Sequence, residues 1–341
     1  MVDASPQLPL QQPKLIPRLR DAIRVRHYSL NTEKTYVYWV RFYIHFHKLR
    51  HPQDMGAAEV TAFLNYLATD RHVSASTQNQ ALAALLFLYK EVLSIRLPWL
   101  DGMVRAKRPK RLPSVLTQAE VQRVLNHLSG TRWLLLSLLY GAGLRQNECL
   151  SLRVKDVNLD GRKLLIRDSK GAKDRVTVLP QSLVTALSTH IANVKKLHQA
   201  DLARGFGEAS LPHALAAKYP KDGYLFGWQF VFPSTTHCTD PYTGRTVRYH
   251  IHEDTVARSI KRAVRLAGIE KHVSCHTFRH AFATHLLETG HNIRMVQELL
   301  GHKQVETTMI YTHVMHHSLA EVRSPVDRLL SDQSNPAINP N

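Results

Sequence analysis

The 341-residue sequence has few cysteines and no long hydrophobic run. Its three cysteines, Cys149, Cys238 and Cys275, are odd in number and form no CxxC pair, which argues against a disulfide framework and fits a reducing cytosol. No run of about 18 apolar residues is present, so no transmembrane helix is expected. Residues 1–12 are rich in Pro and Gln and lack the apolar segment of a secretory signal. We interpret them as a flexible arm on a cytoplasmic protein.

Acidic residues are also few relative to basic ones. Lys and Arg total 45 against 27 Asp and Glu, so the formal net charge is +18. Basic side chains that neutralise phosphates release counterions, and this excess therefore favours a nucleic acid as partner. A merely basic protein, or one that binds an acidic membrane surface, would have a similar charge. Charge alone indicates no reaction.

The first part of the chain has helical periodicity and no strand pattern. Residues 13–104 are predicted to form a small helical bundle, with helices expected over 32–48, 59–67 and 76–95. Residues 105–113 contain prolines and five basic residues, which predicts an inter-domain linker. It is either a solvated loop or a segment that lies along phosphates. The candidate phosphate contacts in it are Lys107, Arg108, Lys110 and Arg111.

A second domain is predicted over 114–331, followed by a disordered tail at 332–341. It begins at Thr117-Gln-Ala-Glu120, which has the form of a capping box. Two short strands at 163–167 and 175–179 are predicted to form a hairpin. The expected helices are 133–140, one beginning near 181, and 253–267, 277–288, 293–300 and 305–313. An aromatic insertion without clear periodicity occupies about 205–250, and the fold class is mainly α with a small β-sheet (α+β).

Five local features of this second domain carry side chains suited to one reaction. They are Arg145 after a Gly-x-Gly turn, Lys170 in the hairpin, His276-Thr-Phe-Arg279 at a helix start, Gly301-His302 past a helix end, and Tyr311 on the last helix. Each alone has a commoner structural explanation, such as an ion pair or a helix cap. Together, two arginines can clamp a phosphodiester, a lysine can protonate a leaving alkoxide, and a tyrosine can attack phosphorus. Cationic side chains stabilise such a transition state without a metal.

The order of these features resembles the tyrosine recombinase (phage integrase) family. Residues 139–148 are similar to its first box, and residues 276–287 and 299–313 are similar to its second. The resemblance covers nearly the whole chain and implies an N-terminal helical core-type DNA-binding domain with a C-terminal catalytic domain. It implies that Tyr311 forms a 3′-phosphotyrosyl link with DNA. It also implies a bacterial enzyme that needs no cofactor and acts as a homo-tetramer on DNA.

The resemblance also assigns a role to each remaining side chain of the set. Arg145 and Arg279 would hold the nonbridging phosphate oxygens, and Lys170 would be the general acid toward the 5′-oxygen. His276 would act as base or donor, and His302 would donate to the phosphate.

The insertion extends the resemblance to integron integrases. Residues 211–220, 228–233, 240–244 and 248–250 are similar to the extra segment of that family, which joins gene-cassette sites (attC) to a platform site (attI). The family binds duplex attI, and it binds attC as a folded single strand with extrahelical bases. Unpaired bases stack on aromatic or proline faces, so the candidate base contacts are Trp228, Pro241, Tyr249 and His250. Alternatively, these side chains anchor the insertion on the core.

Four other interpretations account for part of the sequence. A phage integrase or Xer-like recombinase would act on duplex sites with the same catalytic set. A type IB topoisomerase shares the nucleophile and clamp but has no C-terminal region for synapsis, whereas here about 30 residues follow Tyr311, enough for a short helix at 318–330. A non-catalytic DNA-binding module would not need the intact set. A zinc enzyme using His276 and His280 lacks the Glu of His-Glu-x-x-His, and Arg279 would repel the cation.

Overall fold

A computed structural model of the chain describes residues 14–97, 114–169, 173–211, 215, 218–241 and 243–312. Contacts divide the chain into two units, Met1–Lys110 and Arg111–Asn341. The N-terminal arm, the predicted linker with Lys107, Arg108, Lys110 and Arg111, the helix expected at 318–330 and the tail lie outside the described residues. The domain boundaries therefore stay a prediction.

The first unit is a helical bundle, as its periodicity predicts. Its helices are α1 (Leu15–Val25), α2 (Leu30–Phe46), α3 (Ala57–Thr69) and α4 (Ala75–Phe87). Ser29 and Ser74 cap α2 and α4 by accepting hydrogen bonds from backbone N–H groups three residues ahead. In the core, the hydroxyl groups of Tyr43 and Tyr89 lie 2.9 Å apart, and the Tyr89 hydroxyl donates to the Met55 carbonyl. These bonds satisfy polar atoms that burial would otherwise leave without a partner.

The single helix expected over 76–95 is wrong in its second half. The α-helical part, α4, ends at Phe87, and one wider π-helical turn follows over Leu88–Val92. Ser94 then adopts a φ of +58°, which ends the helical segment. The extra residue in this turn lets Leu88, Tyr89 and Val92 all reach the core. A strict 3.6-residue period does not reveal such a turn.

The second unit is helical with a small sheet, which confirms the predicted fold class. Its helices are α5 (Gln118–Asn126), α6 (Gly130–Gly141), α7 (Gln146–Leu150), α8 (Val184–Ala203), α9 (Glu253–Leu266), α10 (Cys275–Glu288), α11 (Ile293–Leu300) and α12 (Glu306–Met309). Its antiparallel sheet has the order β1 (Val157–Asn158), β2 (Lys163–Ser169) and β3 (Lys173–Val178). Two residues of β4 (Cys238–Thr239) pair with β5 (Thr246–Val247). No helix in the described part of the chain is long and apolar enough to span a membrane.

Of two details of the second unit, the first agrees with the sequence expectation and the second differs from it. The Thr117 capping box is present, because the Glu120 carboxylate accepts from the Thr117 backbone and the Thr117 hydroxyl accepts from the Glu120 backbone. The helix expected over 305–313 is regular only over Glu306–Met309. Tyr311 lies in the tighter turn that follows, where its backbone N–H donates to the Thr308 carbonyl at 3.1 Å. The three-residue spacing of that bond explains why α12 does not continue.

The insertion is attached to α8 by a buried ion pair. Arg248 donates through Nη2 to Asp201 Oδ1 at 2.7 Å and through Nη1 to the Ser234 carbonyl at 2.7 Å. His237 Nε2 lies 3.3 Å from the same carboxylate. Both partners of the pair are almost inaccessible, and leaving one of them unpaired would be costly. The described part of the insertion is therefore fixed to the rest of the second unit at this point.

The turn between α6 and α7 depends on glycine. Gly143 has a φ of +62°, and a Cβ there would lie 2.3 Å from Phe282 Cδ1 on α10. Only glycine permits both the left-handed backbone and this close approach of the two segments. The turn ends two residues later at Arg145, so its geometry positions a candidate site residue.

We predict that Gly143→Ala destabilises the protein by roughly 2–5 kcal/mol, because left-handed strain adds about 1–2 kcal/mol and overpacking about 1–3 kcal/mol. Gly130→Ala is the matched control. Gly130 also has a positive φ, +55°, but no atom lies within 4 Å of its ideal Cβ, so only the backbone strain applies. Urea unfolding of both variants measures the difference. Equal losses in the two would contradict the close packing of Phe282 on Gly143.

Candidate active site

The candidate site is organised around one buried carboxylate, that of Glu148. Arg175 of β3 donates to both of its oxygens, from Nη1 at 2.8 Å and from Nη2 at 2.6 Å. Arg145 donates to it from Nη1 at 2.6 Å and from its backbone N–H at 2.8 Å. Burial alone would raise the pKa of Glu148, but the hydrogen bonds and charges of these arginines lower it to about 2. Glu148 is therefore ionised at neutral pH and fixes two guanidinium groups.

Arg279 is the third guanidinium at this point. Its side chain, on α10, is almost fully buried and donates from Nη1 to the Gly143 carbonyl at 2.7 Å and from Nη2 to the Leu300 carbonyl at 2.5 Å. Its Nη1 lies 3.6 Å from Glu148 Oε2. Burial, and then the charge of Arg145, lowers the pKa of Arg279 to about 9, so it still carries a charge at neutral pH. Arg145 and Arg279 thus lie on the same carboxylate, with Arg145 the more exposed.

Arg175 is a site residue that sequence analysis missed. It also donates from Nε to the Leu299 carbonyl at 2.9 Å, so it connects β3 with the end of α11. Along β3 the inward positions are Arg175 and Thr177, whereas Val176 and Val178 are exposed. The apolar alternation of the strand predicts that the valines point inward, whereas in the structure they are exposed. The signal that could have found Arg175 is the acceptor Glu148 on the box that carries Arg145.

Tyr311 lies beside two imidazoles. Only 2% of the residue is exposed, and its hydroxyl lies 3.0 Å from His280 Nδ1. The His302 ring stacks on the Tyr311 ring with centroids 6.2 Å apart, and His302 Nδ1 lies 2.9 Å from the Thr308 hydroxyl. Burial raises the pKa of Tyr311, and the charges of Arg279 and Arg145 oppose that rise.

The histidines are uncharged at neutral pH in this environment. Burial lowers the pKa of His280 to about 4, with further lowering by His276 and Arg279. Burial and the nearby arginines likewise lower the pKa of His302 to about 4. His276 is more accessible, and burial followed by Arg279 and Arg145 lowers its pKa as well. Neutral imidazoles can both accept and donate hydrogen bonds.

The structure thus brings Arg145, His276, Arg279, His302 and Tyr311 into one site of the second unit. Lys170 lies outside the described residues, in the connection between β2 and β3. The zinc alternative gains no support, because no group of three metal-binding side chains assembles among the residues that the structure describes.

The insertion residues form a second, separate group. Trp228 carries the Lys155 ammonium 2.7 Å from its ring centroid, so one face of the indole is covered. Arg153 lies 3.8 Å from the Phe230 centroid and donates to the Trp228 carbonyl. The rings of Tyr249 and His250 lie 4.1 Å apart, and both pack edge-on against Phe230. Pro241 is exposed in the turn between β4 and β5.

Comparison with known proteins identifies the family. The family model "Phage integrase family" matches residues 114–317, and the model "Phage integrase, N-terminal SAM-like domain" matches residues 15–99. The chain belongs to the tyrosine recombinase (phage integrase) family. An "Integrase/recombinase" of Escherichia coli is 49% identical over 325 residues, which cover 95% of this chain and 96% of that protein. The "Tyrosine recombinase XerD" of Agrobacterium fabrum is 34% identical and covers 77% of this chain and 78% of its own length.

A solved structure has the same fold. The XerH site-specific recombinase bound to a palindromic difH substrate, in a post-cleavage complex, superimposes with a TM-score of 0.58 at 19% identity, over 95% of this chain and 85% of that chain. The family models and the relatives at 49% and 34% identity make the chain an enzyme of site-specific DNA recombination, and the solved structure shows the same two-domain fold.

The Glu148 cluster predicts a pH-dependent stability. A pKa near 2 in place of 4.5 corresponds to about 3 kcal/mol, which is present above about pH 4.5 and lost as the pH falls toward 2. Glu148→Gln, which resembles the protonated carboxyl, should therefore be less stable than the wild type at pH 7. The difference should shrink as the solution is acidified. Exposed Glu298→Gln is the control and should change stability by less than about 0.5 kcal/mol. Urea unfolding at several pH values measures both; a difference independent of pH would contradict the assignment.

Proposed function

We propose that this recombinase is an integron integrase that inserts and excises gene cassettes at attC and attI sites, with Tyr311 as its nucleophile. The observation that carries the chemistry is the position of Tyr311. It lies against His280 and His302, close enough to Arg145 and Arg279 for their charges to act on its pKa.

In the proposed reaction the Tyr311 hydroxyl attacks the scissile phosphate and forms a 3′-phosphotyrosyl link. Arg145 and Arg279 stabilise the charge on the nonbridging oxygens, since guanidinium groups keep their charge and bind phosphate bidentately. Lys170 protonates the departing 5′-oxygen, and His276 and His302 support the phosphate. The freed 5′-hydroxyl of a partner strand then attacks the phosphotyrosine. Because the phosphoester energy is kept in that link, neither ATP nor a metal cofactor is required, and a tetramer of the protein pairs two DNA sites.

Tyr311 has to become accessible for this reaction. Its ring packs with Phe282, Leu287 and Leu300 in a small cluster between α10 and α11. The preceding α12 has only four residues, and Met309 and Ile310 next to Tyr311 are exposed. Short helices with few buried contacts open at low free-energy cost. DNA binding can therefore expose the hydroxyl by shifting α12 while the arginines stay in place.

The insertion supports cassette sites as the substrate. Trp228, Tyr249 and His250 lie together around Phe230 and Arg153, and 42% of Tyr249 is exposed. Burial lowers the pKa of Arg153 to about 10, so the group keeps a positive charge. Aromatic faces beside cations are suited to unpaired bases and their phosphates. A folded single strand presents such bases without the cost of unstacking a duplex.

A recombinase that acts only on duplex sites is the second candidate. The similarity to a XerD recombinase favours it. The Lys155 ammonium over Trp228 also favours it, because this contact covers one face of the ring and is consistent with a role in anchoring the insertion. In that case the insertion aromatics would stabilise the catalytic unit and would not discriminate between DNA forms.

The nucleophile assignment predicts that Tyr311→Phe binds site DNA normally but forms no covalent complex, because the variant keeps the ring and loses the attacking oxygen. Tyr140→Phe is the matched control, since Tyr140 also donates to or accepts from a histidine of α10, His285, at 2.9 Å. Denaturing gels of each protein with nicked site DNA measure the complex. A covalent band in Tyr311→Phe would remove Tyr311 from the mechanism.

The substrate assignment predicts that Trp228→Ala weakens binding of a folded attC strand by about 1–3 kcal/mol, on the order of ten- to a hundredfold. Binding of duplex attI should change much less, because phosphate contacts dominate there. Phe226→Ala is the comparison, since Phe226 lies in the same turn but packs on buried His198 and should lower the melting temperature. Affinities for both DNAs and thermal unfolding are measured together. If Trp228→Ala weakens both DNAs equally and also melts earlier, Trp228 is an anchor and the duplex candidate is favoured.

A further inference from the structure

His280 is the imidazole that contacts the reacting atom of the nucleophile. Its Nδ1 lies 3.0 Å from the Tyr311 hydroxyl oxygen, and the ring centroids are 5.4 Å apart. Among the described residues, His280 is the hydrogen-bond partner of the Tyr311 hydroxyl. The sequence offered His280 only as half of a rejected zinc pair, and the resemblance assigns a proton-transfer role to His276 instead.

The other two histidines are placed less well to receive the phenol proton. His276 lies on the accessible side of α10 with its ring centroid 6.0 Å from that of His280. His302 presents its ring face to the Tyr311 ring, and its Nδ1 is engaged by the Thr308 hydroxyl. Neither directs a ring nitrogen at the Tyr311 hydroxyl as His280 does.

The position of His280 is fixed by its neighbours. It follows Arg279, whose guanidinium is held by the Gly143 and Leu300 carbonyls. Ala281 and Phe282, the next two residues of α10, are buried. A proton acceptor on such a helix keeps its geometry when the shorter α12 moves.

We propose that His280 is the catalytic base that accepts the proton of Tyr311 during strand cleavage. The proposal rests on the proposed function of Tyr311 as the nucleophile. As the bond from the tyrosine oxygen to phosphorus forms and the bond from phosphorus to the 5′-oxygen breaks, the phenol proton passes to His280 Nδ1. Lys170 supplies a separate proton to the 5′-oxygen. In rejoining, the imidazolium returns its proton to the departing tyrosine oxygen, so the enzyme is unchanged after both steps.

The electrostatics of the free chain agree with this direction of transfer. Burial, His276 and Arg279 hold the pKa of His280 at about 4, so its nitrogen is available as an acceptor at neutral pH. A bound phosphodiester would bring negative charge to Arg279, whose positive charge contributes to lowering this pKa. Imidazole would therefore become a stronger base when substrate is in place.

The test is single-turnover cleavage of nicked site DNA by His280→Ala and His280→Gln, with DNA binding measured in parallel by gel shift. Both variants should bind DNA and cleave on the order of 10²–10⁴-fold more slowly, the usual contribution of a general base. Added imidazole should restore part of the activity of His280→Ala and none of that of Tyr311→Phe. His280→Gln keeps a polar side chain of similar length if His280→Ala fails to fold.

A sulfur atom in place of the bridging 5′-oxygen separates the two proton transfers. A thiolate leaves without protonation, so the defect of Lys170→Ala should largely disappear on this substrate. The defect of His280→Ala should persist, because the nucleophile still has to lose its proton. If the sulfur substrate restores His280→Ala as well, His280 acts on the leaving group and the proposal is wrong.

His285→Ala is the matched control for packing. His285 lies further along α10 and makes the same kind of bond, from Nδ1 to the Tyr140 hydroxyl at 2.9 Å. It should cleave at close to the wild-type rate. Equal losses of cleavage rate in His280→Ala and His285→Ala would overturn the proposal. Faster cleavage by His280→Ala would also overturn it, because His280 would then only stabilise Tyr311 in its buried position. If His280→Ala cleaves normally and Tyr311→Phe is inactive, His280 is not the base but Tyr311 remains the nucleophile. If Tyr311→Phe is active, Tyr311 is not the nucleophile.

Discussion

The buried carboxylate of Glu148 is the constraint on which the catalytic unit depends. It lies close to three guanidinium groups from separate elements: those of Arg145 at the start of α7, Arg175 on β3 and Arg279 on α10. Like charges this close repel strongly in a poorly solvated interior, so the three arginines can share the site only because one anion lies between them. The contacts of Glu148 therefore both join separate elements of the fold and shape the site.

One carboxylate does not neutralise three arginines, and this imbalance has a chemical use. The remaining positive charge can be reduced by a phosphodiester, which the more exposed Arg145 can reach first. Burial, aided by this charge, keeps nearby His280 and His302 neutral. Imidazoles in this state can exchange protons with a nucleophile, whereas imidazolium groups would only add to the repulsion. The excess positive charge around Glu148 therefore acts in two ways: it can attract a phosphodiester, and it contributes to keeping the imidazoles neutral.

Much of the fold and the site could be predicted from sequence, and the exceptions have physical causes. Helix α11 was predicted with its observed ends, because its apolar positions and following glycine leave little ambiguity. Arg175 was not found, since β3 turns its arginine and threonine inward and its valines outward. A periodic pattern identifies a buried face only when that face is apolar. His280 was overlooked for a related reason: its contact is with Tyr311, which is 31 positions away along the chain and adjacent only after folding.

Helix α10 supplies the fixed part of the site beside Tyr311, the proposed nucleophile. It presents His276, Arg279 and His280 within little more than one turn, and these residues therefore share a face. Its other side packs against α6 and α11, with Phe278 and Ala281 fully buried. Tyr311 comes instead from the turn after the four-residue α12 and depends on packing between helices for its position. Because Arg279 and the histidines His276 and His280 are built on this helix, the proposed reaction requires Tyr311 to move while they stay in place. In the proposed reaction the cost of exposing Tyr311 falls on the four-residue α12, and the contacts around Glu148 do not have to change.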